Sequence, residues 1–330
     1  MKLSIAIPTY NRSDVLPYLL DSILTQTSTI GKNGIEIVIS DNASTDATSS
    51  VVAAYAARHP GLFRYFKNDE NVGYSRNVDL SIQHCNTKFV LLMSDDDALC
   101  DNALNQLIKV VKRHETDASI FFSNTIAYLT DMSRPDSECQ DIVSEEQLFR
   151  NGIDYIKQVR SFPPALLSGY VIKRQDWVGI GNAKIHVKSI IVHMLSALEI
   201  CLSERGVVMT GINLVKYRQN NSNTTASWGK SPLYPFRFYL DCLQGLKDLN
   251  TVCPSDVGKT LYNAAARTIV FYLIRQKVVD HPFDAKTFWK WFARVKNYQS
   301  IYTTMAYAVC FIPRNLLRMI FGRLVAKYPI

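Results

Sequence analysis

The chain has no CxxC pair. Its seven cysteines, at positions 85, 100, 139, 201, 242, 253 and 310, are dispersed and odd in number. That excludes a regularly spaced disulfide framework and predicts free thiols in a reducing compartment. It also lacks an apolar run long enough to cross a bilayer; the longest, residues 305–313, ends at Pro313. The N-terminal segment MKLSIAIPTYN carries one basic residue and reaches Pro8 too soon for the core of a secretory signal. It reads as the first strand of a mature cytoplasmic protein. The turn after it, PTYNRSDVL, contains neither Gly nor Lys, so it is not a Gly-rich phosphate loop. Acidic residues are scarce at one end: residues 258–330 hold 12 Lys and Arg against two Asp, a net of +10. With +8 for the whole chain, residues 1–257 carry −2. A near-neutral body with a basic tail predicts an anionic partner for the tail. No nucleic-acid-binding motif accompanies the charge, which favours a membrane surface over nucleic acid.

What is present is an ordinary globular composition, 47% hydrophobic and 20% charged over 330 residues. That suffices for one large α/β domain with an appendage. Short apolar runs at residues 3–8, 35–40, 62–67, 88–93 and 118–127 read as strands. Between them, stretches at 13–25, 44–59, 71–85 and 102–114 have helical spacing, as with Leu16, Leu19, Leu20 and Ile23. Ser44 or Thr45 is the expected cap of the second helix. Strands alternating with helices predict a mostly parallel, doubly wound sheet with helices on both faces. Ligands of such sheets sit beyond the carboxyl ends of the strands. Those ends read PTYN, SDNAS, NDENVG and SDDD, all polar and turn-prone. Beyond residue 130 the alternation loosens. A short strand is expected near 170–173, a helix over 189–203, and one long strand or a strand pair over 206–218. A polar stretch, 219–232, has no apolar period, and helices follow it.

The segment LLMSDDDALC places Asp95, Asp96 and Asp97 directly after a buried strand. One Asp there serves to start the next helix. Three adjacent carboxylates repel one another unless a cation or ligand offsets them. Mg²⁺ or Mn²⁺ takes oxygen ligands, typically one or two carboxylates plus substrate phosphates, so a metal-bound nucleotide diphosphate meets the demand.

The segments IAIPTYNR, ISDNASTD, NVGYSRN and LLMSDDDAL, in this order and spacing, resemble the family 2 glycosyltransferases of GT-A fold. SDNASTD, SRN and SDDDAL are similar to bacterial O-antigen sugar transferases of the abequosyltransferase type. The resemblance covers residues 1–130 and thins towards 217. It implies a catalytic domain over 1–217, with a donor half (1–130) and an acceptor half (131–217). A flexible loop (218–232) and a basic, membrane-associating helical region (233–330) would follow. Pro8, Thr9 and Tyr10 would pack against the nucleotide base and ribose, with Arg12 near the phosphates. Asp41 would accept from the base. Asn71 and Gly73 would shape the next loop, where Arg76 reaches a phosphate. Asp95 would hold the ribose hydroxyls and Asp96 the metal. Asp97 would either add a water-mediated metal contact or begin the next helix. The sequence departs from the family at Ser94, where many relatives carry an acid.

Inverting sugar transfer requires a general base for the acceptor hydroxyl. The family's Glu-Asp pair is missing, and its register falls near His193 in a stretch reading GIGNAKIHVKSIIVHMLSALE. A histidine titrating near neutrality can serve, although a lone His on an apolar helix also fits a core position. Asp176 and Glu199 are the alternatives. In the polar stretch, Arg218 or Lys230 would clamp phosphate and Trp228 cover the sugar if it acts as a lid. The C-terminal helices mix aromatic and basic residues, as in FWKWFARVKNY, which suits a helix lying in an anionic membrane interface. The resemblance thus implies an inverting enzyme, peripheral on the inner face of the cytoplasmic membrane. It would use a nucleotide-diphospho-sugar and a polyprenyl-diphosphate-linked acceptor in O-antigen or other surface polysaccharide synthesis. The alternatives are an inactive nucleotide-sugar-binding module and a sugar-phosphate nucleotidyltransferase.

Overall fold

A computed structural model describes residues 2–30, 34–140, 143–180, 189–219, 234–249 and 252–279, with several more between 309 and 321. The chain divides into two compact units. Met1–Tyr155 and Pro163–Ser222 form the first; Ile156–Phe162 and Asn223–Ile330 form the second. Most of the polar stretch 219–232, including Trp228 and Lys230, lies outside the described residues, as do the aromatic and basic residues 288–298.

The first unit begins as the apolar periods predict: β1 (Leu3–Thr9), α1 (Leu16–Ile30), β2 (Ile35–Asp41), α2 (Thr48–Arg58), β3 (Phe63–Lys67), α3 (Tyr74–Gln83) and β4 (Phe89–Leu92). β5 (Ala98–Leu99), α4 (Ala103–Arg113), β6 (Ile120–Tyr128), β7 (Pro135–Gln140), β8 (Gln147–Phe149) and α5 (Gly152–Val159) follow. β9 (Tyr170–Lys173), α6 (Arg174–Gly179), α7 (Val192–Leu202) and one long strand, β10 (Val207–Arg218), complete the series. All seven residues of β1 and of β2 are buried, as strands covered on both faces should be. Leu16, Leu19, Leu20 and Ile23 of α1 are fully buried in one core with Leu104, Leu107 and Val111 of α4. Burying each such side chain contributes about 1.5–3 kcal/mol, which holds these helices against the sheet.

The strand order is β3-β2-β1-β4-β9-β6-β10-β5, with β7 paired to β6 and β8 to β10. β1 pairs parallel with both β2 and β4, and β2 with β3. β9 runs antiparallel to both β4 and β6, while β10 is parallel to β6. The carboxyl ends of β1, β2, β4, β6 and β10 therefore share one edge of the sheet with the start of β9. The chain moves outward from β1 through β2 to β3, then returns to place β4 on the other side of β1. Ligands of such sheets bind beside a reversal of this kind, here at the ends of β1 and β4.

The second unit contributes two packed helices, α8 (Tyr234–Asp248) and α9 (Ser255–Val279). Cys242 and Leu246 are buried on the first, and Val257, Leu261 and Ala265 on the second. Among the described residues, no helix is long and apolar enough to cross a membrane. Cys85, Cys100, Cys201, Cys242 and Cys253 are free thiols.

Candidate active site at the β1–β4 reversal

Two polar loops at this edge satisfy each other's backbone. The Asn11 amide donates to the Ser44 hydroxyl (2.9 Å), the Arg12 amide to Thr48 Oγ1 (3.0 Å), and the Ser13 amide to Asp46 Oδ2 (3.0 Å). In return, Asn11 Oδ1 accepts from the Thr45 amide at 2.8 Å. The expectation that Ser44 or Thr45 caps the second helix is corrected by this arrangement. α2 starts later, at Thr48, with no side-chain cap at Ala47, because the hydroxyl of Ser44 is engaged by the loop after β1. Four hydrogen-bonded contacts between two turns give a rigid rim that presents Tyr10 and Arg12.

Arg12, almost fully buried, lies against two of the three aspartates. Its Nε stands 3.5 Å from Asp95 Oδ1 and its Nη2 3.4 Å from Asp96 Oδ2. Asp96 Oδ1 accepts from the Ser94 hydroxyl at 2.6 Å, so the residue at the family's acidic position orients the neighbouring acid. Asp97 is held differently: Oδ2 accepts from Ser168 Oγ (2.6 Å) and Oδ1 from the Arg218 amide (3.0 Å). Burial, followed by repulsion from Asp96, pushes both Asp95 and Asp97 well above the ordinary carboxylate range. Arg218 reaches back with Nε to the Asp96 carbonyl (2.8 Å) and Nη1 to the Thr130 carbonyl (2.5 Å). The centre of its guanidinium stands 4.6 Å from the Tyr18 ring, and its Nη2 is buried without a hydrogen-bond partner among the described residues.

The ends of β1, β2 and β3 are joined by amide side chains. Asn77 Oδ1 accepts from Ser40 Oγ and Asn68 Nδ2, and its Nδ2 donates to the Ser40 carbonyl. Asn42 Oδ1 accepts from Asn68 and from the Val72 amide, while Asn42 Nδ2 donates to Asn71 at 2.8 Å. Asn71 in turn accepts from the Gly73 amide, and Gly73 has φ +85°, a backbone state that L side chains rarely adopt. This hydrogen bond and the positive φ of Gly73 set the backbone of the loop ahead of α3.

Other expected residues are placed differently. Asp41 is fully buried, with Oδ1 accepting from the Ser44 amide (2.8 Å) and Oδ2 from the Tyr65 hydroxyl (2.5 Å). It organises the loop from inside and presents no free edge to a base. The same pairing, after burial, pushes Tyr65 up to about 12. Arg76 ion-pairs with Asp79 at 2.5 Å, and Asp79 also accepts from Trp177 Nε1, so this cation is directed along its own helix. Pro8 and Thr9 are buried at the end of β1, and Tyr10 is half-buried beyond it.

The three candidate bases lie on α6 and α7. Every residue of α7 is buried, and His193 is 2% exposed. Its Nε2 pairs with the Ala165 carbonyl (2.8 Å), its ring stands edge-on to Tyr170, and Nδ1 has no partner among the described residues. Burial pushes its pKa down to about 4, too weak a base for neutral pH. Asp176 accepts from Ser119 at the start of β6, the edge opposite the aspartates. Glu199 lies on the same buried helix as His193, about 120° around its axis at 100° per residue. The register expectation for the base is therefore corrected: His193 is a core side chain. Residues 181–188, just before α7, lie outside the described residues.

Among the described residues, no three His, Cys, Asp or Glu side chains group as a closed metal cage. The donor set at 95–97 still suits a hard divalent cation that takes one or two carboxylates and leaves its other positions to substrate oxygens and water. Asp96 fits best, since its Oδ2 faces Arg12 only at 3.4 Å, long for a charge-assisted bond.

The doubly wound sheet, with arginines and aspartates gathered at the β1–β4 reversal, has a GT-A fold. Solved structures share the fold over nearly the whole chain. The S. aureus protein TarS (residues 1–349), in complex with UDP-GlcNAc, matches with TM-score 0.65 and 16% identity, covering 99% of this chain and 89% of that one. The mannosyltransferase PcManGT from Pyrobaculum calidifontis, in complex with GDP-Man and Mn²⁺, matches with TM-score 0.58 and 14% identity, covering 97% and 87%. Residues 4–157 match the family described as glycosyl transferase family 2. An abequosyltransferase of Salmonella typhimurium is 30% identical over 188 residues, 54% of this chain and 55% of the relative. A GalNAc(5)-diNAcBac-PP-undecaprenol beta-1,3-glucosyltransferase of Campylobacter jejuni is 32% identical over 121 residues, 36% and 37%. The chain thus spans about half the length, or less, of these curated relatives.

Proposed function

We propose that the chain is an inverting, metal-dependent glycosyltransferase. It would move a sugar from a nucleotide-diphospho-sugar to a polyprenyl-diphosphate-linked glycan during synthesis of O-antigen or another surface polysaccharide. The observation that carries this reading is the convergence of Arg12, Asp95, Asp96 and Arg218 beside the β1–β4 reversal, within and next to the segment that matches the family. Pro8, Thr9 and Tyr10 would line the nucleoside seat with the loop shaped by Asn71 and Gly73. Asp95 would take the ribose hydroxyls. Arg12 and Arg218 would orient the diphosphate, Arg218 through the Nη2 that has no partner among the described residues. Mn²⁺ or Mg²⁺, held by Asp96, would supply charge neutralisation for the departing diphosphate. The acceptor reading is supported by the undecaprenol-linked substrate in the name of the Campylobacter relative.

The basic tail would dock the enzyme on the inner face of the cytoplasmic membrane. Its net +10 over residues 258–330 supports this, as do the exposed Phe311, Leu316, Met319 and Ile320. One alternative has an observation in its favour: the burial of His193 and Glu199, with Asp176 engaged by Ser119, suits a donor-binding module without turnover. Turnover of UDP-, GDP-, CDP- and dTDP-sugars with Mn²⁺ separates the two. Wild-type hydrolysis or transfer that disappears in Asp96→Asn supports the enzyme; binding of a nucleotide-sugar without turnover of any donor leaves only the module.

A further inference from the structure

The carboxylates of Asp96 and Asp97 are adjacent in sequence yet have separate partners. Asp96 is held by Ser94 and Arg12, from the loops after β4 and β1. Asp97 is held by Ser168, just ahead of β9, and by the amide of Arg218 at the end of β10. The Ser168 hydroxyl is the middle of a chain, since it accepts from the Ser94 amide at 2.8 Å and donates to Asp97 at 2.6 Å. Arg218 closes the circuit by donating from Nε to the Asp96 carbonyl. Ser168, Asp97 and Arg218 are all buried. The next residue, Gly169, has φ +98° and bonds from its amide to the Leu92 carbonyl. That turn delivers Ser168 beneath the aspartate loop.

We propose that Ser168 and Asp97 are positioning residues, which hold the Asp96 carboxylate and the Arg218 guanidinium at a set separation, and that Asp97 does not itself ligate the cation. The proposal rests on the glycosyltransferase reading above. Both Asp97 oxygens accept from buried donors, one just ahead of β9 and one at the end of β10. Turning this carboxylate towards a metal would leave the Arg218 amide and the Ser168 hydroxyl unpartnered in the interior. Asp96 has no such tie to β9 or β10 through its side chain, so the two acids divide the work. One faces the ligand, and the other joins three strand ends behind it.

Two readouts on the full-length protein test this. In Mn²⁺ titrations followed by electron paramagnetic resonance, with excess UDP or GDP, Asp96→Asn should lose protein-bound Mn²⁺. Asp97→Asn and Ser168→Ala should weaken Mn²⁺ binding by about tenfold and still bind it, because each misorients a metal ligand and neither removes one. In steady-state assays, Ser168→Ala should lower kcat/KM for the donor by about tenfold, and Ser168→Thr, which restores the hydroxyl, should recover most of it. Thermal unfolding confirms that each variant is folded. Loss of Mn²⁺ in Asp97→Asn to the extent seen in Asp96→Asn would overturn the proposal. So would unchanged kinetics in Ser168→Ala, or no recovery in Ser168→Thr. A wild-type protein that neither turns over a donor nor binds Mn²⁺ with nucleotide would instead sink the glycosyltransferase reading itself.

Discussion

Arg218 donates from Nε to the Asp96 carbonyl and from Nη1 to the Thr130 carbonyl, two oxygens that a single ammonium on a flexible stem does not bridge with the same geometry. Arg218→Lys should therefore lower donor kcat/KM by about tenfold, the equivalent of one charged hydrogen bond, despite retaining the charge. Initial-rate measurements over a range of donor concentrations check this. His193 makes a prediction of the opposite kind. Its native pKa, near 4, lies below the ordinary 6.5, so the unfolded chain binds a proton that the native protein refuses between these values. Stability should be greatest above pH 6.5 and fall as the pH drops towards 4, by up to about 3 kcal/mol from this group. Urea unfolding at pH 7.5 and 5.0 should show a shallower loss in His193→Phe, and that variant should keep its transfer activity. The aspartates and Arg12 were legible in the sequence because they crowd short motifs at strand ends. Ser168, Tyr65 and the Asn42–Asn68 pair were not. Their partners stand 71, 24 and 26 positions away, and nothing local marks a serine that accepts from one loop and donates to another. His193 misled for the converse reason: its register suited a base, while an all-buried helix around it suited a core residue.

Elements of regular period were the easiest to read. α4 shows why: Leu104, Leu107 and Val111 recur at helical spacing and are all fully buried. Leu107→Ala should cost about 2–5 kcal/mol, because a core helix with a fully buried stripe cannot collapse around the missing atoms. The midpoint of urea unfolding measures it. β5, β7 and β8 gave no such signal. They have two, six and three residues, and they exist as strands only because β10 and β6 offer edges to pair with. The start of α2 was misread on the same principle. Ser44 is a good cap by propensity, but the amide of Asn11 competes for its oxygen, and the helix begins at Thr48.

At the scale of the whole chain, the alternation of strands and helices announces a parallel sheet, and the polar strand ends announce where its ligand belongs. The reversal of β9 was beyond the sequence pattern, since a four-residue buried strand reads the same in either direction. The charge asymmetry is legible as composition alone, and it yields a prediction at this scale. Full-length protein should sediment with phosphatidylglycerol vesicles at low salt, and substantially less at about 0.5 M, where the screening length falls to a few ångströms. Removal of residues 300–330 should weaken the low-salt association; sedimentation unchanged by both treatments would remove the membrane from the account. The interlocked loops after β1 and β2 have a further consequence, for transplantation. Each loop supplies side-chain acceptors that the other's amides need, so neither is a self-sufficient cassette. A chimera that imports residues 9–13 from a relative without residues 44–48 would carry foreign side chains into a lock cut for the native ones. Exchanged together, the two segments travel as a single replaceable part.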